Sequence, residues 1–371
     1  MSVLKLLTVC TVAVGMVVTA QAHCAAPSGL PEVPVPEDNP QTPAKVALGE
    51  KLFNDKRLST DGTVACATCH DPAKAFTDHK PVSEGVGGQK GTRNAPTVIN
   101  AAFYTSQFWD GRRPSLEAQA KDPFVNPIEQ GFKDHKPVVD AVAGDPEYVK
   151  AFREVFAVEP NDITIDQVVD AIAAFERTVV SGDSPFDRYQ YGGDKSAMSE
   201  SAIRGLEVYR TKGRCADCHA ISQTTAIFTD NDFHNIGVGF KRIQDRMYEV
   251  AGAFRDAKQQ GKPVDETVLS NADASELGRF AVTLRPSDIG RFKTPTLRNV
   301  AVTAPYMHDG SLKTLEEVVD LYNKGGEKNP FLDGGIRPLD LTDQEKADLV
   351  EFMKSLTSPQ FADVKVASTE E

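Results

Sequence analysis

Two pentapeptides carry the strongest chemical signal in the chain. They are Cys66-Ala-Thr-Cys69-His70 and, 149 positions later (215 − 66), Cys215-Ala-Asp-Cys218-His219. In such a unit the two thiols form thioether bonds to the vinyl groups of a haem, and the adjacent histidine reaches the iron as an axial ligand. A lone Cys-x-x-Cys also serves as half a zinc site or as a redox dithiol. Here both copies run directly into histidine. Of the six cysteines only Cys10 and Cys24 remain, both near the N-terminus, so no zinc site can be completed. The pattern predicts two covalently bound c-type haems.

A haem iron with two protein ligands moves electrons, whereas one with a vacant position can bind peroxide. The residues opposite His70 and His219 therefore decide the chemistry. The remaining histidines are His23, His79, His135, His234 and His308. His79, close behind the first motif, is a candidate ligand but reads more simply as a surface-loop residue.

Other features say what must position these groups. At 371 residues the chain exceeds the usual single domain, so two domains of roughly 150–180 residues are expected. A net charge of −12 argues against nucleic acid and anionic membranes, and suits a basic partner protein. Met1 to Ala22 reads as a cleaved export signal: Lys5 is basic, Leu6 to Val18 is apolar, and Ala20-Gln21-Ala22 is an acceptable cleavage tripeptide. The apolar run is too short for a comfortable membrane span. A periplasmic protein with no stable membrane insertion is expected, with residues 23–43 as a proline-rich, extended and poorly packed lead.

Leu48-Gly49-Glu50-Lys51-Leu52-Phe53 precedes the first haem motif, and Arg204-Gly205-Leu206-Glu207-Val208-Tyr209 precedes the second. Both read as a short helix feeding a haem site. The fold class expected is mainly α, with two cytochrome c-like domains in tandem, residues 44–185 and 186–371. Thr164 with Gln167, Thr314 with Glu317 and Thr342 with Glu345 have capping-box spacing. Apolar residues follow Thr164 and Thr342 at helical period. Ser181 to Lys195 reads as an interdomain linker, and Lys258 to Ala274 as a polar surface loop.

Further strings carry a resemblance. They are Thr92-Arg93-Asn94-Ala95-Pro96-Thr97, Gln107-Phe108-Trp109-Asp110-Gly111-Arg112 and Ser184-Pro185-Phe186-Asp187 in the first half. The second half adds Phe292-Lys293-Thr294-Pro295-Thr296-Leu297-Arg298-Asn299-Val300 and Ala304-Pro305-Tyr306-Met307-His308-Asp309-Gly310. In this order around two haem motifs, from about Leu48 to Leu356, the chain resembles the diheme cytochrome c peroxidase/MauG family.

The resemblance implies that the His70 haem meets peroxide. In the peroxidase branch a distal histidine lies just before the Arg-Asn string. The matching stretch here, Ser83 to Lys90, contains none, which implies an open iron as in the MauG branch. It assigns proton relay and polar anchoring to Gln119 and Glu129, with Pro123 lining the pocket between them. Trp109, the only tryptophan, is implied to lie between the haems. A calcium ion is implied at Asn94, Thr303 and Pro305. Opposite His219 the MauG branch has tyrosine and the peroxidase branch methionine. Leu315, Val318, Val319 and Tyr322 share one helix face, so Tyr322 points inward, which by itself reads as a core tyrosine; the resemblance implies Tyr322 as the ligand, with Met307 the rival and Met247 and Met353 behind it. A phenolate depresses the haem potential; a methionine raises it.

The function implied is use of hydrogen peroxide to form high-valent haem iron that oxidises a partner protein, at a tryptophan side chain. The first alternative is reduction of peroxide with electrons from a small cytochrome c or cupredoxin. A plain diheme electron carrier is a third reading.

Overall fold

The computed structural model describes residues 27–366, apart from the side chains of residues 265–267. The signal-like segment Met1–Ala22, with Cys10, His23 and Cys24, lies outside the described residues. The fold is mostly helical. In chain order the longer helices are α1 Pro43–Phe53, α2 Leu116–Val125, α3 Lys136–Ala143, α4 Pro146–Phe156, α5 Ile165–Glu176 and α6 Pro185–Gln190. They continue as α7 Glu200–Arg210, α8 Met247–Gln259, α9 Val264–Ser270, α10 Leu315–Asn323 and α11 Asp343–Lys354. Two two-residue strands, β1 Phe233–His234 and β2 Phe292–Lys293, pair antiparallel with Phe233 opposite Lys293.

Each half is organised by one helix crossing. Helix α1 packs on α5, and α7 packs on α11. The approach is close because a glycine sits at each contact. A Cβ built on Gly49 would lie 1.8 Å from the Ala171 carbonyl oxygen, and one on Gly205 would lie 1.9 Å from that of Asp348. Around α1 and α5 gather Leu52, Phe53, Phe152, Val168 and Ile172. Around α7 and α11 gather Phe186, Leu206, Tyr209, Phe228 and Phe352. The three capping boxes expected at Thr164, Thr314 and Thr342 are present, and Ser184 with Asp187 forms a fourth.

Three expectations need correction. Within the described residues, from position 27 on, the lead is not poorly packed. The Gly29 carbonyl accepts from Ala226 N and from Arg298 Nη2, and buried Asn39 bridges Glu117 and the Asp170 carbonyl at 2.8 and 3.0 Å. Polar side chains and carbonyls hold it down, together with buried Leu30 and with Val33 against Ala101 and Leu116. The segment from Ser181 begins packed rather than free, with Ser181, Ser184, Phe186 and Asp187 all buried. Lys258–Ala274 is not a loop. It contains the end of α8 and all of α9, and Val268 and Ala274 enter a third core with Phe240, Ile243, Phe254, Leu277 and Phe280. This lobe, Phe240 to Ile289, is inserted between the two strands.

The two halves repeat one another in hydrogen bonds. Asn100 and Asn299 are both fully buried in left-handed conformation. Their backbone N–H groups donate to the Val179 and Leu356 carbonyls. The paired turns are Gln107–Arg113 and Tyr306–Leu312, each closed by an isolated bridge. On the same offset Trp109 corresponds to His308, Asn94 to Lys293, and α2 to α10. The halves also exchange bonds: Asn94 N donates to His308 O at 2.8 Å, and Lys293 N donates to Trp109 O at 2.8 Å.

Candidate active site

The two motif histidines are held alike. His70 Nδ1 lies 3.3 Å from the Phe76 carbonyl oxygen and His219 Nδ1 lies 2.9 Å from that of Phe228. A carbonyl only accepts, so each Nδ1 carries the proton and each Nε2 keeps a free lone pair for a metal. Phe76 and Phe228 both adopt left-handed backbone, which turns those carbonyls toward the rings. Burial lowers the pKa of both imidazoles, keeping them neutral as ligation requires. The Cys69 and Cys215 thiols are pushed up to about 12, mainly by burial. Such thiols are not the activated thiolates of a redox dithiol; they sit where a large apolar group would cover them.

Above His219 a deep, mainly apolar cavity opens. It is lined by Cys215, Cys218 and His219 on one side and by Tyr322, Met307 and Met353 among the others. Apolar walls with convergent sulfur and imidazole donors fit a haem. Helix α10, started by the Thr314/Glu317 box, turns Tyr322 into this cavity. Burial, and then the nearby Cys215 and Cys218, raise its phenol far above the usual tyrosine value. Met307 reaches the same cavity from a left-handed turn.

At the first motif, α2 begins at a Ser115 cap and carries Gln119 and Pro123 one turn apart on one face. The chain then folds back: Gln130 N donates to Pro123 O at 3.1 Å and Phe132 N to Phe124 O at 3.0 Å. This turn presents Glu129. Its carboxylate is close enough to act electrostatically on both Cys66 and Cys69. The loop from Ser83 to Lys90 packs on it, with Val86 N donating to Glu129 O at 2.9 Å. Gly85 permits this contact, since a Cβ there would lie 1.9 Å from the Ile128 carbonyl oxygen.

Between the halves lies Trp109. Its Nε1 donates to Asn94 O at 2.9 Å, and it borders the His219 cavity. Asn94, Thr303 and Pro305 lie along the same cavity. Asn94 spends its amide N–H on the Lys80 carbonyl at 2.8 Å. His79 is not a surface-loop residue. Its Nε2 bonds the Val302 carbonyl at 3.0 Å and straps the first half to the second.

Several groups escaped the sequence reading. Lys293, at the counterpart of Asn94, is buried, and burial lowers its pKa to about 7. Its Nζ donates to Ser106 O at 2.7 Å over the Tyr104 ring. His308 stacks on Phe292 with centroids 3.6 Å apart and bonds Glu276 at 2.9 Å. His234, beside Cys218, is gripped by Asp230 and Asp333 at 2.9 Å each. Glu176, buried in α5 near Cys66, is raised to about 8, chiefly by burial. Only the repeat of the strings could have flagged Lys293 and His308.

The residues 43–196 match a family described as di-haem cytochrome c peroxidase. The chain is 41% identical over 332 residues to the cytochrome-c peroxidase IdrP1 of Denitromonas iodatirespirans, covering 88% of this chain and 85% of that one. It is 40% identical over 324 residues to the methylamine utilization protein MauG of Methylorubrum extorquens, covering 87% and 81%. A solved MauG-like protein associated with microbial copper homeostasis superposes with a TM-score of 0.73 at 34% identity, over 91% of this chain and 98% of that one. Two haem-attachment motifs in one frame, with relatives of this breadth, place the chain in the di-haem cytochrome c peroxidase/MauG family, as a haem oxidoreductase that acts on peroxide.

Proposed function

We propose that this protein uses hydrogen peroxide to oxidise a tryptophan side chain on a partner protein, in the manner of the MauG branch. Each half is read as a cytochrome c-like domain, residues 44–185 and 186–371, holding one haem through Cys66, Cys69 and His70 or through Cys215, Cys218 and His219. The observation that carries the reading is a correspondence. In the repeat of the halves, α2 and α10 occupy the same place, and Pro123 stands where Tyr322 stands. A proline side chain has no donor atom to offer a metal, whereas a phenol does. The frame therefore supports an open position facing His70 and a ligand facing His219.

When bound, the haems supply the redox chemistry by which two electrons and two protons take hydrogen peroxide to two waters. The protein supplies the rest. Glu129 accepts the proton of the nearer peroxide oxygen and returns it to the farther one, work that typically contributes 10²–10⁴-fold. Gln119 hydrogen-bonds and orients the peroxide, and Pro123 keeps its seat free. Trp109 would carry one electron from the His219 half to the His70 half, so that the two electrons peroxide takes up would be drawn one from each half and replaced by the two that the partner's tryptophan gives up. Asn94, Thr303 and Pro305 would hold a calcium ion through oxygen atoms completed by water. The Met1–Ala22 segment supports export to the periplasm, and the acidic surface supports a basic partner. Among the described residues no helix is long and apolar enough to cross a membrane.

A second reading has its own observation. Met307 borders the same cavity as Tyr322, and with Met307 as ligand the protein would draw electrons from a small cytochrome c or cupredoxin. Stopped-flow absorption after one equivalent of peroxide, added to the oxidised protein without reductant, separates the two. A fast, lasting change at both haems supports the first reading. Silence until one haem is reduced supports the second.

A further inference from the structure

We propose that Arg279, from the inserted lobe Phe240–Ile289, is a positioning residue for Trp109; this rests on the reading of Trp109 as the bridge between the two haem sites. The bridge needs a fixed indole, because a small displacement of a group that must meet its partners costs rate steeply. Trp109 sits in a turn whose neighbours Phe108 and Gly111 are both in left-handed conformation, so the turn needs outside support. Arg279 Nη1 donates to the Asp110 carbonyl and to the Gly111 carbonyl, both at 2.8 Å. Its guanidinium lies over the Phe233 ring, 4.3 Å from the centroid, which fixes the plane of the fork.

The lobe grips the same turn a second way. Arg93 donates Nη1 to Asp110 Oδ2 at 2.7 Å, and its Nε and Nη2 go to Ser275 Oγ and O at 3.1 and 3.0 Å. Burial alone would raise the Asp110 carboxyl, but Arg112 and Arg93 hold it well below the usual range, so the anchor stays charged. The lobe also bonds the counterpart turn, through Glu276 to His308. It therefore spans both turns that meet at the centre of the molecule. Among these contacts only those of Arg279 act on the backbone next to Trp109 from a side chain of the inserted lobe.

The test uses the full haem-loaded protein and exploits its single tryptophan. Arg279→Met should shift the ultraviolet resonance Raman band that reports the indole N–H hydrogen bond. It should also slow internal electron equilibration in the half-reduced protein by roughly tenfold, short of the hundredfold that an ångström of misplacement can cost. Both haem midpoint potentials should stay put. Arg279→Lys, which keeps the cation and folds more readily, should recover part of the rate. If Arg279→Met keeps the native band and rate while Trp109→Phe is slow, the assignment of Arg279 is overturned and the bridge stands. If Trp109→Phe is as fast as the native protein, the bridge itself fails. Shifted potentials with an unmoved tryptophan band would make Arg279 a packing residue only, and would also overturn the proposal.

Discussion

The half around His70 and the half around His219 share a frame and differ in what they hang on it. In both, a glycine-mediated helix crossing sets the core, a left-handed phenylalanine orients the motif histidine, and a buried asparagine ties its loop to the chain just after the long helix. At matching places Pro123 corresponds to Tyr322, Gln119 to Val318, Trp109 to His308 and Asn94 to Lys293. The backbone bonds that hold these places are indifferent to the side chains they display. A duplicated frame can therefore carry an acid–base site in one half and an axial ligand in the other, with no change to what keeps it folded.

The sharpest way to break this contrast is at Glu129. If proton handling belongs to the His70 half alone, Glu129→Gln should lower peroxide turnover by about 10²–10⁴-fold. Both haem contents and the spectrum of the His219 haem should be unchanged; steady-state kinetics with pyridine haemochrome quantitation checks this. A comparable effect is expected on stability at a place where the frame tolerates opposite solutions. Ile99 is fully buried, and its counterpart Arg298 is buried just as deeply. Arg298 is satisfied by both Asp187 oxygens at 2.8 Å and by the Ala226 and Gly29 carbonyls. Asp187→Asn strips the charge from one partner and should cost about 3–5 kcal/mol, read as a lower urea midpoint.

Much of this was legible because it is local. The Cys-x-x-Cys-His units, the capping boxes and the strings around Trp109 and Lys293 are each a handful of contiguous residues whose chemistry does not depend on distant partners. What stayed hidden is long-range. The strap from His79 to Val302 and the exchange of Asn94 and Lys293 N–H bonds join positions some two hundred residues apart. Arg279 has no sequence signal of its own, since its meaning comes from two carbonyls on the far turn. The third core was missed because Val268, Leu277 and Phe280 become apolar neighbours only after the lobe folds on itself. The packed lead was missed because carbonyls help hold it, and carbonyls are the same in every residue.

The helix crossings sharpen the comparison at smaller scale. In an exposed helix, alanine for glycine gains up to about 1 kcal/mol. At Gly49 and Gly205 a Cβ would overlap a carbonyl oxygen of the facing helix, so overpacking of about 1–3 kcal/mol should win. Gly49→Ala and Gly205→Ala should lower the thermal midpoint to similar degrees, because the two crossings are one device used twice.

The smallest expected effect separates the crossings again. Opposite Gly205 stands Asp348, which bonds Arg204 at 2.8 Å along with Ser201 and Gln344; opposite Gly49 stands Ala171, which cannot titrate. The Arg204 hydrogen bonds lower the Asp348 carboxyl to about 2, against 3.8 for the free group. A pKa lowered in the folded state means the unfolded chain binds the proton more readily. The stabilisation is then complete above about pH 4 and is lost as the pH falls through about 2. Arg204 is half exposed, so the gain is screened to on the order of 1 kcal/mol. Asp348→Asn should destabilise the protein by that amount at neutral pH. The native and variant stabilities should converge as the pH drops from 4 toward 2 in urea titrations. Curves that stay parallel through that range would show that Asp348 supports the crossing by packing and neutral hydrogen bonds alone, leaving the two crossings equivalent in energy as well as in geometry.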